Sequence, residues 1–157
     1  MRKFMNMFLV IVCAILGASC LDAMDKDLGD GYSLVVSDGY WTGIQDSSNT
    51  VIIPDNVLDC DYDSIYVIVA QRPWDSIPGI PKHELVSMNY DDRNRAFENS
   101  TFRQYWIIDK TKSALNKDST NSHSNVYGPY SRDEFLRKRI ELGVSEELKL
   151  EIENENM

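Results

Sequence analysis

Six consecutive residues, Ile65-Tyr66-Val67-Ile68-Val69-Ala70, carry no charge, and both alternating sets of them are apolar. Side chains on a strand alternate between the two faces of a sheet, so a tract of this kind belongs to a central strand rather than to an edge. Shorter β-like runs flank it. Tyr32-Ser33-Leu34-Val35-Val36 precedes the turn Ser37-Asp38-Gly39, Tyr40 to Ile44 follows, and Thr50-Val51-Ile52-Ile53 ends at Pro54. Val57 to Tyr62 also reads as extended, and Tyr105-Trp106-Ile107-Ile108-Asp109 is a further apolar strand. Short strands joined by short polar turns predict an antiparallel meander. The expected fold class is α+β: mainly antiparallel sheet, with one C-terminal helix packed on it.

That helix has the clearest local signature in the chain. Ser131 and Glu134 have the spacing of a capping box, in which the serine oxygen accepts from the backbone three residues on and the glutamate reaches back. Arg137, Lys138 and Arg139 lie toward the end where positive charge suits the helix dipole, and Gly143 is placed to close the helix with Val144 folding back. Leu136 and Ile140 are four apart and share a face, with Phe135 beside them. The expected core is Leu34, Val51, Ile53, Ile65, Val67, Val69, Trp106, Ile108, Phe135, Leu136 and Ile140. A second, short helix is expected over 89–99. Pro73, Pro78, Gly79 and Pro81 argue against regular structure between them, residues 110–124 read as a long polar hairpin loop, and Leu148, Leu150 and Ile152 alternate with charges as in an added strand.

The N-terminus constrains location. Met1-Arg2-Lys3 is a short positive start, Met7 to Ala18 is apolar or small, and Gly17-Ala18-Ser19 leads into Cys20. These are the proportions of a secretory signal. The segment resembles a bacterial lipoprotein signal, which implies cleavage before Cys20 and lipidation of that cysteine; Gly17 stands where such signals usually carry an aliphatic residue. The alternatives are an uncleaved anchor, for which the run is short of the roughly 20 apolar residues of a membrane span, and secretion without lipid. The expected organisation is a signal over 1–19, an acidic tether over 20–30, one globular domain over 31–152 and a frayed tail over 153–157. The expected place is the bacterial cell envelope, outside the cytoplasm, with the membrane reached through lipid on Cys20.

Removing residues 1–19 from the 157 leaves 138, enough for one core. The whole chain carries −9, and the signal contains Arg2 and Lys3 but no acid, so the remainder carries about −11. That balance argues against nucleic acid as a partner, and against attraction of the domain as a whole to anionic headgroups. Cys13 lies in the signal and Cys20 at its end, so Cys60 has no intramolecular partner and is expected to be a small buried residue.

Residues that could carry chemistry are few. Asp59, Asp61 and Asp63 alternate, but Ser64 and Ala70 stand where a calcium loop needs glycine and glutamate; an exposed strand face accounts for them. His83 and His123 fall in irregular segments with no sequence-near catalytic partner. No nucleophile elbow, phosphate loop or zinc helix occurs. No catalytic residue, metal site or cofactor is therefore assigned. Trp74, beside Pro73, is the expected exposed aromatic and the contact candidate.

Three blocks carry a family resemblance: Asp27-Leu28-Gly29-Asp30-Gly31-Tyr32, Ile65 to Gln71, and Tyr105 to Lys110 with Val126-Tyr127-Gly128-Pro129-Tyr130-Ser131 and Leu142-Gly143-Val144. Through them the chain resembles a family of bacterial lipoproteins designated domain of unknown function 3997. The resemblance implies place and fold and transfers no catalytic residue. The functional expectation is a non-enzymatic binding or interaction module meeting an envelope protein or ligand through residues 72–102 and 110–124. The alternatives are a small envelope hydrolase using His83, and an inhibitor or immunity-type protein with an acidic face.

Overall fold

A computed structural model describes residues 25–37, 41–54, 56–112 and 123–153. The strands are β1 (Lys26–Gly29), β2 (Tyr32–Ser37), β3 (Trp41–Gln45), β4 (Val51–Ile53), β5 (Val57–Tyr62), β6 (Tyr66–Gln71), β7 (Gln104–Asp109) and β8 (Val126–Tyr130). Between β6 and β7 lie two helices, α1 (Lys82–Ser87) and α2 (Tyr90–Glu98); α3 (Arg132–Leu142) follows β8, and a 3-10 turn occupies Glu151–Glu153. The strands form two antiparallel meanders of four, β1-β2-β3-β4 and β5-β6-β7-β8. The expected α+β class and meander hold, but the β structure is divided into two sheets. The division falls at Pro54, which cannot donate to a ladder, and at Asn56, which turns the chain with φ 56°.

The β6 tract is central, between β5 and β7. Its residues from Val67 to Gln71 are all buried. Val67 and Val69 join Ile108, Cys60, Ile44, Ile53 and Leu28 in a core between the sheets. Ile68 and Ala70 face the other way, joining Ile107, Tyr105, Phe135, Leu148 and Leu150 under α3 and the C-terminal segment. The result is three layers: sheet, sheet, then helix and tail. Each fully buried Val or Ile here stabilises the fold by roughly 1.5–3 kcal/mol.

Two polar clusters hold the layers in register. Trp106 Nε1 donates to Gln71 Oε1 at 2.8 Å, and Gln71 Nε2 donates to the Pro54 carbonyl, so the half-buried indole is satisfied at the crossing between sheets. At the opposite end, Lys110 Nζ donates to the Leu28 carbonyl at 2.8 Å; its side chain is only 2% exposed. Asn125 Nδ2 donates to the Tyr32 hydroxyl at 2.7 Å and to the Asp109 carbonyl at 3.1 Å. Gly128 lets β8 approach β7: with φ 135°, a Cβ there would stand 2.7 Å from the Trp106 ring.

The capping box of α3 forms as its spacing predicts. Ser131 Oγ accepts from Glu134 N at 3.4 Å, and Glu134 Oε2 accepts from Ser131 N at 2.9 Å. Gly143 closes the helix with φ 70°, and Val144 N donates to Arg139 O at 2.9 Å. The face differs from expectation. Phe135, fully buried, stacks on Tyr105 at 5.1 Å, whereas Leu136 is 39% and Ile140 82% exposed. The stripe through Phe135, Arg139 and Leu142 meets the sheet instead; Arg139 lays its stem along it and donates to the Ser145 and Leu148 carbonyls.

Other expectations are corrected by position. Val51 is exposed at the start of an edge strand whose inward residue is Ile53, and Ile65 is exposed because it lies in the turn before β6. Leu34 and Trp106 are half-buried against the first core, while Ile68 and Ile107, absent from the expected core, are fully buried. β1 lies within the segment read as tether, so ordered pairing starts at Lys26. The helix over 89–99 is α2, capped by Asn89; α1, which was not anticipated, begins directly after Pro81. The tail forms no strand: Leu148 and Leu150 are buried, but Lys149 N and Ile152 N donate to the carboxylates of Asp61 and Asp59, at 2.8 and 3.4 Å, rather than to a ladder.

Two expected outcomes follow. Ser131→Ala should lower stability by about 1 kcal/mol, read by denaturant unfolding. Burial raises the Asp109 carboxyl's pKa, but the Thr111 hydroxyl and N–H and the Lys112 ammonium overcompensate and hold it below the ordinary range. Because the folded pKa lies below the unfolded one, its stabilisation is present at neutral pH and is lost as pH falls below about 4. Asp109→Asn should therefore be less stable than the parent at pH 7, with the gap narrowing toward pH 3.

Candidate functional site: the insertion cleft

The β6–β7 connection, residues 72–103, departs from the paired strands and builds its own small core. Ile77, Leu85 and Phe97 are buried there, with Trp74, Ile80, Met88 and Ala96 packed around them. Trp74 and Phe97 meet at 4.4 Å with their planes tilted by 52°. Arg93 lies over the Trp74 ring and Arg72 over the Phe97 ring, at 5.6 and 5.3 Å, contacts suited to desolvated guanidinium groups. Pro78 and Gly79 turn the chain so that Ile77 and Ile80 come back against α2, with Ile80 N donating to Ile77 O at 3.1 Å.

Between this insertion and the start of α3 lies a cleft of about 680 Å³. Ile77, Ile80 and Phe102 give it apolar surface, Tyr105 reaches it from β7, and Arg103 and Arg132 bring positive charge. The volume is in the range of small-ligand or side-chain pockets, and the mix of apolar walls and a few polar groups is what such pockets use. Arg103 is positioned by its own loop, donating from Nη1 to the Ser100 and Phe102 carbonyls at 2.9 and 2.8 Å.

Ser131 also lines the cleft, but its hydroxyl is committed. It donates to Glu134 Oε2 at 2.7 Å while accepting from Glu134 N. The hydroxyl and N–H of Ser131 in turn hold the Glu134 carboxyl below the ordinary range. This pair caps a helix; the carboxylate is held ionised and does not activate the serine.

The sequence candidates are scattered. His83 is exposed on α1, outside the lining of the cleft. His123 sits at the far end of the β7–β8 hairpin, with a buried Nδ1 that has no hydrogen-bond partner among the described residues. Burial raises the Asp46 pKa, but the Ser48 hydroxyl, backbone N–H groups and nearby His123 bring it below the ordinary range. Asp59 and Asp61 hold the tail, and Asp63 Oδ1 accepts from Ile65 N and Tyr66 N, both at 2.7 Å, to shape the β5–β6 turn. Among the described residues no group of three His, Cys, Asp or Glu side chains could hold a metal ion. Cys60 is buried, and burial foremost pushes its thiol pKa up. Trp74 is half-buried in the insertion's core rather than displayed. Cys20 and most of the 110–124 loop lie outside the described residues.

Much of the cleft falls in 72–102, a contact region expected from sequence. Arg103, Tyr105, Ser131 and Arg132 do not, and no local signal marks them, because the topology brings them there from other elements. The fold and cleft define a class: a small two-sheet α+β domain with a helical insertion that forms a ligand-sized cleft at one end. The chain belongs to the family described as protein of unknown function DUF3997, whose model matches residues 29–155. Comparison with curated proteins and with solved structures finds no match.

If Trp74 is structural, Trp74→Ala should lower the thermal midpoint markedly, by a cost approaching 3 kcal/mol. His83→Ala, at an exposed site, should stay within about 0.5 kcal/mol of the parent. Thermal unfolding of the two variants side by side checks both.

Proposed function

We propose that this chain is a bacterial cell-envelope lipoprotein, anchored through Cys20, whose domain is a non-enzymatic interaction module that takes its partner into the insertion cleft. The observation that carries this reading is the polarity of the molecule. The chain enters the fold at the β5–β6 turn, where Lys26 Nζ lies 5.2 Å from the Tyr62 ring. The insertion leaves from the other ends of the same strands, after Gln71 and before Gln104. A tether at the first end therefore presents the cleft at the far end, away from the membrane. Loops on a rigid sheet commonly carry recognition, and the partner group this cleft suits is an apolar side chain set against Ile77, Ile80 and Phe102.

The expected outcome is that Cys20→Ala releases the protein from membranes or leaves an unprocessed precursor. In cross-linking from intact envelopes, Ile80→Glu should lose a partner that the parent captures, while circular dichroism shows the two sheets still folded. A Cys20→Ala chain that fractionates and migrates like the parent overturns the anchor. Capture undiminished by Ile80→Glu, together with a hydrolytic activity abolished by His83→Ala, overturns the module in favour of an enzyme.

A further inference from the structure

We infer that a second pocket, where the start of β5 and the end of β6 meet the C-terminal 3-10 turn, binds a small zwitterion: a free α-amino acid with an apolar side chain. The pocket has a volume of about 310 Å³ and is lined by Leu58, Asp59, Arg72, Arg103, Glu151 and Ile152. That lies at the low end of the range of small-ligand pockets, a size for one small molecule. Arg103 also borders the insertion cleft, but the other five residues do not. Such a site neither requires the anchor nor excludes a protein partner in the cleft.

Sheet register places the charges. Asp59 stands opposite Ala70, and Arg72 follows two residues later on the same face. The two are diagonal neighbours, with backbones about 7–8 Å apart, within reach of a long side chain. Arg72 turns elsewhere: its guanidinium lies over the Phe97 ring at 5.3 Å, with Nε buried and without an acceptor among the described residues. None of the ion pairs among the described residues joins Arg72 to Asp59 or Glu151. The pairing of Gln71 with Gln104 sets Arg103 beside Arg72, one step past the ladder. Like charges placed side by side across strands repel, and an acceptor held between them relieves that repulsion.

The rest of the lining sets the ligand class. Asp59 Oδ2 accepts from Ile152 N at 3.4 Å, a long bond that leaves the carboxylate able to accept more. Glu151 is exposed at the start of the 3-10 turn. Two guanidinium groups and two carboxylates thus share one pocket. A simple anion there would meet Asp59 and Glu151, and a simple cation would meet Arg72 and Arg103. An α-amino acid carries both signs on one carbon. Its carboxylate gives Arg72 the acceptor it lacks, in a charge-assisted pair, while its ammonium donates to the acids. Leu58, 37% exposed, and the half-buried Ile152 offer apolar surface to its side chain.

The test is calorimetric titration of the full, processed chain in detergent micelles with L-leucine, L-methionine and L-phenylalanine in turn. The expected result is saturable binding of at least one of them. Its amide, which lacks the carboxylate, and its N-acetyl form, which lacks the ammonium, should each bind several-fold more weakly. Arg72→Gln and Glu151→Gln should each weaken binding several-fold. Glu151 is exposed, so its variant should unfold at the parent's temperature, and its lost affinity is then not a lost fold. No saturable binding of any of the three amino acids overturns the site. An N-acetyl form that binds as tightly as the free amino acid overturns the zwitterion in favour of a plain anion, and an equally tight amide overturns it in favour of a cation. Binding that survives both pocket variants but is lost in Ile80→Glu puts the ligand in the insertion cleft and overturns this site.

Discussion

Burial of both faces of β6 is the constraint on which the rest of the architecture depends. A strand of Val67, Ile68, Val69 and Ala70 exposes a continuous apolar surface on each side unless two separate layers cover it. One sheet cannot fold over both sides. The chain answers with β1–β4 on one face and with α3 and the C-terminal segment on the other. The break at Pro54, the helix beginning at Arg132 and the otherwise irregular run from Val144 to Ile152 all serve that one requirement.

Hydrophobic layering does not fix how layers are oriented, because apolar contact is non-directional. The orientation comes from a few buried polar links. Lys110 and Asn125 tie the end of β7 and the start of β8 to Leu28 and Tyr32 in the other sheet. Asp59 and Asp61 bind backbone N–H groups of the tail. Removing one partner of such a link leaves a buried donor or acceptor unpaired, which costs more than the link itself contributes. Lys110, Asn125 and Asp61 lie toward the end where the chain enters the fold, while Asp59 and the Trp106–Gln71–Pro54 link lie toward the insertion.

Parts of this were legible in the residues. The central strand, the capping box at Ser131 and Glu134, the closing Gly143 and the short α2 each depend on neighbours within a few positions. The face of α3 was not legible. Leu136 and Ile140 are four apart and look like a core stripe, yet Phe135 takes the sheet, because Tyr105 offers it a ring to stack on. The carboxylates of Asp59 and Asp61 looked like a solvated strand face because their donors lie some ninety residues further along the chain. The cleft was half legible: the proline-rich connection marked a loop, but nothing local to Arg103 or Arg132 shows that they meet across it.

The amino-acid sequence by itself determined the antiparallel α+β class, the position of the central strand, the ends of α3 and the signal-like approach to Cys20. These rest on side-chain alternation, capping chemistry and apolar run length, all short-range properties of the chain. Tertiary structure alone decided that there are two sheets, which face of α3 is buried, why the alternating aspartates exist and where the cleft opens. Those outcomes depend on which distant surfaces meet, and that is set by the joint burial of many side chains together with the pairing of the few polar groups trapped between them.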